Sequence, residues 1–317
     1  MTAVLGLLEW IGARARWVLA LGVIAATLMP ALSAALRPVL PLLVVLVLAL
    51  AMARMELGQV ARAALRPRRL GRLVLWAAAL MVLTPAMFWA AGRLAGLAEG
   101  EIAALVYTGA APPITSAVSL CLILGLDAVF ALELTVLATL ALPLIGPIVV
   151  EALIGAAVPI DAARLALRLG MMIAGGAALA LLLRRLVGPA RIRARARAFD
   201  GLAALAMIVF VIPLFDGFWR LMLADPVQSL RVVLLVLATN TGLMLAVAAG
   251  LARAGPRARA HAAGLMWGNR TVALYLAALP AEPLFTLYVA LYQFPMLFTP
   301  LVMERVFGRA PPEADTA

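Results

Sequence analysis

The sequence predicts an all-α polytopic membrane protein, with ten transmembrane helices as a 5+5 inverted repeat in which helices four and nine are discontinuous. Three observations lead there. Of 317 residues, 66% are hydrophobic and 13% charged, against roughly 45–50% apolar and about 25% charged in a soluble globular domain. The apolar residues fall into ten runs parted by Arg, Pro or Gly clusters. The arginines alternate in density from one loop to the next, and runs four and nine are broken by polar residues.

The runs lie near 17–36, 38–55, 73–97, 101–125, 128–153, 162–186, 201–223, 228–251, 260–279 and 284–307. A span needs about 20 residues to cross a hydrocarbon layer about 30 Å thick, so ten spans and short loops use up the length and leave no separate soluble domain. The first run follows Arg14 and Arg16 and ends near Ala34 among small residues, as a signal peptide would. Nine further runs follow, and it is read as an uncleaved first helix.

All 26 basic residues are arginine, and with 15 acidic residues the net charge is +11. They sit between apolar runs rather than on a polar domain, which excludes a nucleic-acid partner and assigns the charge to orientation in the lipid bilayer. Single residues of Cys (Cys121) and His (His261) exclude a disulfide framework, a Cys/His zinc cluster and a two-histidine metalloprotease helix.

Short cytoplasmic loops collect arginine. Arg54, Arg62, Arg66, Arg68, Arg69 and Arg72 lie between spans two and three. Arg184, Arg185, Arg191, Arg193, Arg195 and Arg197 lie between six and seven, and Arg253, Arg257 and Arg259 between eight and nine. With Arg14, Arg16, Arg305 and Arg309 at the ends, one side holds nineteen. The other holds six (Arg37, Arg93, Arg164, Arg168, Arg220 and Arg231), interleaved with acids. Both termini are therefore expected in the cytoplasm, the chain being multi-pass in the cytoplasmic (inner) membrane. Ten spans divide into residues 1–160 and 161–317, and because five is odd the second set enters from the opposite face.

Span four then corresponds to span nine. Pro112 and Pro113 remove two backbone donors and clash with carbonyls one turn back, so the helix must open. Opened backbone is tolerated at membrane depth only when buried in protein or facing a water-filled cavity. A proline kink repaired by Thr108, Thr115 or Ser116 hydroxyls is the plain alternative. In span nine Gly268 is followed by Asn269, Arg270 and Thr271, and an arginine there costs roughly 3 kcal/mol without a partner or water. If the chain opens at Gly268, its N–H groups and the Arg270 fork form an anion trap. Two other roles stand beside that one: a fixed charge in place of a bound cation, and a structural ion pair. Asn240, between Thr239 and Thr241 in span eight, either lines a cavity or bonds between helices. Paired helix breaks in opposed halves point to a transporter binding site.

These residues resemble the bile acid:sodium symporter superfamily, which includes bacterial transporters of small organic anions. The resemblance is carried by Gly109-Ala110-Ala111-Pro112-Pro113 running into Thr115-Ser116, by the span-five run from Leu132 to Pro143 with Pro147, and by Gly268-Asn269-Arg270-Thr271. Thr84-Pro85 and Gln293-Phe294-Pro295 are lesser echoes. The resemblance implies a panel domain from spans one, two, six and seven. It implies a core domain from spans three to five and eight to ten, with four and nine crossing at unwound centres. It places substrate beside the crossing, at Pro112, Pro113, Thr115, Ser116, Asn240, Asn269, Arg270 and Thr271, in the cleft between the domains.

Sodium coupling is where this chain departs. Members that bind two sodium ions carry an acid where this sequence has Gly264, and a polar residue where it has Gly268. The Ser-Asn pair after the span-four break is Ser116-Ala117 here, and only Thr135 and Thr139 remain of a three-residue hydroxyl stripe in span five. Glu133 lies on the opposite helical face and is expected to snorkel to water. A sodium site is thus expected to be degenerate, with Na+ or H+ as the coupling ion to be tested and no other cofactor. The leading expectation is a secondary transporter of a small organic anion and not an enzyme. A membrane sensor or scaffold that keeps the pocket, and an intramembrane enzyme, are the alternatives.

Overall fold

A computed structural model describes residues 2–55, 66–158 and 160–307; Arg62 and Arg309 lie outside the described residues. Among those described, the chain is all helix, with one isolated antiparallel bridge between Pro113 and Arg270. Seven helices are long and apolar enough to cross a membrane, as a multi-pass membrane protein requires. They are α3 (Pro30–Arg54), α4 (Pro67–Leu94), α7 (Ala128–Ile154), α8 (Ala162–Val187), α10 (Ala196–Phe215), α12 (Pro226–Ala252) and α15 (Pro283–Phe307). Shorter helices occupy the regions of the other three expected spans: α2 (Ala15–Thr27) in the first, with α1 (Thr2–Ala13) lying ahead of it; α5 (Glu99–Ala110) and α6 (Ala117–Leu124) in the fourth; and α13 (Arg257–Gly268) and α14 (Ala273–Ala278) in the ninth. Short helices α9 (Pro189–Ala194) and α11 (Phe218–Ala224) complete the list.

The first loop is not where the sequence puts it. The chain stays helical through Arg37 and Pro38, which form a single 3-10 turn inside α3, and turns instead at Leu28 and Met29. Pro30 and Pro38 are equivalent start signals in a sequence; Pro30 takes the first helical position, where the missing N–H is no loss.

The chain divides into two compact units. The first contains α1–α3, most of α8, α9–α11, the start of α12, α14 and α15 up to Phe298. Within it α10 packs on α1, α2 and α3, and α14 packs on α3. Backbone meets backbone where Gly12 faces Arg197 and Gly201. Arg54 pairs with Asp200 at 2.6 Å, and the Trp219 indole donates to Thr27 O at 2.8 Å.

The second unit contains α4–α7, α12 from Val233, α13 through Val272, and the end of α15 from Thr299. Two of its helices carry a five-residue π turn, Ala79–Leu83 in α4 and Ala238–Gly242 in α12. Each follows a 12-residue α-helical segment, Pro67–Ala78 and Pro226–Leu237. The next element after each of these helices is again a 12-residue α-helix, α5 and α13, that stops abruptly.

Candidate functional site

The site is built where α5 and α13 stop. Proline holds the residue before it extended, and Ala111 accordingly leaves the helix with ψ 148°. Asn269 leaves α13 the same way, at φ −111° and ψ 100°. The two extended segments pair antiparallel: Ile114 N–H donates to Asn269 O at 3.0 Å and Thr271 N–H donates to Pro112 O at 2.8 Å. Thr271 Oγ1 donates to Pro113 O at 3.1 Å. Groups that the prolines open in one chain segment are thus satisfied by the other, as buried backbone requires.

Arg270 is 1% exposed and ties the end of α5 at this crossing to the π turn of α4. Its Nη1 donates to Ala111 O at 2.9 Å, and its Nη2 donates to Gly109 O at 2.9 Å and Leu80 O at 2.8 Å. Gly109 and Ala111 are at the carboxyl end of α5, where unpaired carbonyls gather partial negative charge. Leu80 is in the first π turn, and the reason its carbonyl is available lies five residues on. Thr84 N–H reaches back to Ala79 O in π register. The next residue, Pro85, has no N–H to offer Leu80 in the same register. A Cβ on Gly109 would lie 2.7 Å from Pro85 Cα, so α5 and α4 meet backbone to backbone beside the guanidinium.

The carboxyl end of α13 is held by an amide instead. Asn240, in the second π turn, donates Nδ2 to Gly268 O at 2.7 Å and to Asn269 Oδ1 at 3.3 Å. Asn269 Nδ2 donates to Leu265 O at 3.0 Å, and Thr299 Oγ1 donates to Asn269 Oδ1 at 3.2 Å. Gly264 and Gly268 let α13 lie directly on α12. A Cβ at 264 would fall 2.6 Å from Met244 O, and one at 268 would fall 2.5 Å from Asn240 O. Neither position has room for a cation-binding side chain.

Of the residues singled out from sequence, Pro112, Pro113, Asn269, Arg270 and Thr271 meet at the crossing, and Asn240 supports it. Thr115 is half-buried and Ser116 exposed, on the approach to α6, while Thr271 is half-buried. Thr135 and Thr139 are buried in α7, where Thr139 Oγ1 donates to Thr135 O at 2.7 Å and Thr135 Oγ1 lies 4.0 Å from Met266 Sδ. Glu133 does not snorkel. It is 3% exposed, and Arg69 meets its carboxylate at 2.6 Å and 3.1 Å. Arg69 stands in the first turn of α4, which packs beside α7, so the carboxylate meets an arginine before it meets water.

Sequence reasoning missed the carbonyls of Leu80, Gly109 and Ala111, because backbone acceptors have no letter of their own. Thr84-Pro85 was the available signal for the first π turn, and Gly264 and Gly268, four apart, for the tight contact of α13. No protein-family profile matches the chain, and no curated protein matches its sequence significantly. The resemblance to the bile acid:sodium symporter superfamily therefore rests on the motifs quoted above.

Proposed function

We propose that this chain is a secondary transporter of a small organic anion, of the bile acid:sodium symporter type, with ten spans in a 5+5 inverted repeat. The observation that carries the reading is the Pro113–Arg270 bridge, where two helix ends are joined by paired backbone and held by a buried guanidinium. Interrupted helices meeting in this way are the mark of transporter sites. The matched π turns of α4 and α12, each after 12 helical residues and each ahead of a truncated 12-residue helix, support the repeat.

In this reading Arg270 is the fixed cation of the crossing. A sodium ion is held by oxygen ligands, and here three oxygens of the kind that would hold one are taken by the guanidinium. An anion would rest on the accessible hydroxyls flanking the crossing, those of Thr115 and Ser116, beside Thr271, whose own O–H is given to Pro113 O. Arg270 would then contribute its positive field, and its donors would stay on the backbone.

The test is uptake of small carboxylates and sulfates into proteoliposomes, with and without an inward sodium gradient, after a thermal-shift screen for ligands. Uptake of a stabilising anion that persists without sodium is expected. A steep, two-ion sodium dependence would refute the fixed-cation assignment. A ligand that stabilises the protein and never crosses the sealed vesicle would refute transport in favour of a sensor.

A further inference from the structure

Apart from the crossing, the amino end of α4 helps to enclose a half-open recess of about 740 Å³, walled also by the start of α7 and by Arg259 of α13. Five arginines line it: Arg66, Arg68, Arg69, Arg72 and Arg259. Two acids line it as well, and both are already engaged. Glu133 takes Arg69 at 2.6 Å, and Asp127 takes Arg259 at 2.9 Å. Among the described residues no ion pair is formed by Arg66, Arg68 or Arg72, so the recess carries an excess of about three positive charges.

That arrangement opposes ordinary helix electrostatics. Arg68 and Arg72 are one turn apart on one face of α4, where like charges repel. They also stand in its first turns, where the helix dipole is positive and acids are favoured. The segment Pro67–Ala78 has no acid in its first turn and no side-chain cap. A need for positive charge on one face of the membrane is met by arginines anywhere in a loop; it does not require them to converge on a cavity. One turn beyond Arg72, the Trp76 ring also lines the recess, edge-on to Phe130 at 5.3 Å and to Trp267 at 5.8 Å.

We propose that this recess binds a phosphate-bearing polyanion. A carboxylate would neutralise one of the three excess charges. A phosphomonoester or a diphosphate brings two or more, and its oxygens accept the paired donors of several guanidinium forks together. The site is separate from the crossing and does not rest on the transport reading. Its occupant would touch Trp76, which abuts Trp267, whose indole donates to Thr84 at the first π turn.

Such phosphate is found in soluble metabolites and in acidic lipid headgroups, and the experiment separates them. In one arm, inorganic pyrophosphate is titrated calorimetrically into the purified full chain in neutral detergent, against acetate at matched ionic strength. In the other, the chain is placed in neutral-lipid nanodiscs with and without phosphatidic acid, and bound lipid is counted. Arg68→Gln/Arg72→Gln is compared with wild type in both arms, and Arg68→Lys/Arg72→Lys keeps the charge while removing the forks.

Saturable pyrophosphate binding that weakens tenfold or more in the glutamine variant, and less in the lysine variant, is the expected result. Phosphatidic acid retention with the same variant dependence, and no pyrophosphate binding, assigns the same site to a headgroup. Binding of neither probe, or binding that both variants leave unchanged, overturns the proposal. Arg68 and Arg72 are exposed, so both variants are expected to melt with wild type in the absence of ligand, which keeps a loss of binding distinct from a loss of fold.

Discussion

Arg270→Leu is the substitution that tests the crossing most directly. It removes three charge-assisted hydrogen bonds and leaves the carbonyls of Leu80, Gly109 and Ala111 without that donor. A buried acceptor stripped of its partner costs about 1–3 kcal/mol, so the three together amount to roughly 3–9 kcal/mol. Relief of the guanidinium's own desolvation offsets part of this, and breaking a buried charged contact typically nets about 3–5 kcal/mol. For a chain of this size each kcal/mol moves the melting temperature by about 2–4 °C, so a fall of at least about 6 °C is expected. Membrane proteins unfold irreversibly, so the assay is apparent melting followed by tryptophan fluorescence at one fixed scan rate. Arg270→Lys should lose less, since the ammonium keeps the charge but not the fork. Arg270→Ala should regain stability on adding guanidinium at a low, non-denaturing concentration, and not on adding equal sodium chloride. A leucine variant that melts within about 2 °C of wild type would mean that the guanidinium does not hold the helix ends, and the fixed-cation argument would fail.

Gly268→Ala should destabilise by about 1–3 kcal/mol through overpacking, because the new methyl lands 2.5 Å from both Asn240 O and Met244 Cβ; Gly250→Ala, with open space around it, should be neutral or stabilising in the same melting assay. Arg69→Gln leaves the buried Glu133 carboxylate without its cation and should cost about 1–3 kcal/mol. Glu133→Gln alone should cost less, because Arg69 also reaches solvent. A double-mutant cycle reads the coupling directly, and additive losses would show that the pair contributes nothing.

The sequence foretold the crossing better than the membrane boundaries. Proline pairs and an arginine at mid-span each force a local event, so Pro112, Pro113 and Arg270 announced the break individually. The ends of α7, α8 and α15 were legible to within a residue, since a long apolar run stops where polar residues begin. The first turn was not, because Pro30 and Pro38 are the same signal and only packing chooses between them. What Arg270 touches was equally hidden: its partners are main-chain oxygens, exposed by a change of helical register near Pro85. Glu133 went astray for a related reason, as the distance of a carboxylate from a helix end says nothing of the arginine that a neighbouring helix brings to it.

A charge that is part of the polypeptide never dissociates, and this has a thermodynamic consequence. An ion that loads on one side and unloads on the other transfers the work stored in its gradient to whatever moves with it. Arg270 arrives at biosynthesis and stays. In the transport reading proposed above, it would shape affinity on both sides of the bilayer but deliver no driving force to either. Net accumulation of a solute against its own chemical potential would have to draw on another source, such as a travelling proton or an exchanged counter-substrate. Without one, the crossing would do no more than let a solute run down its own slope.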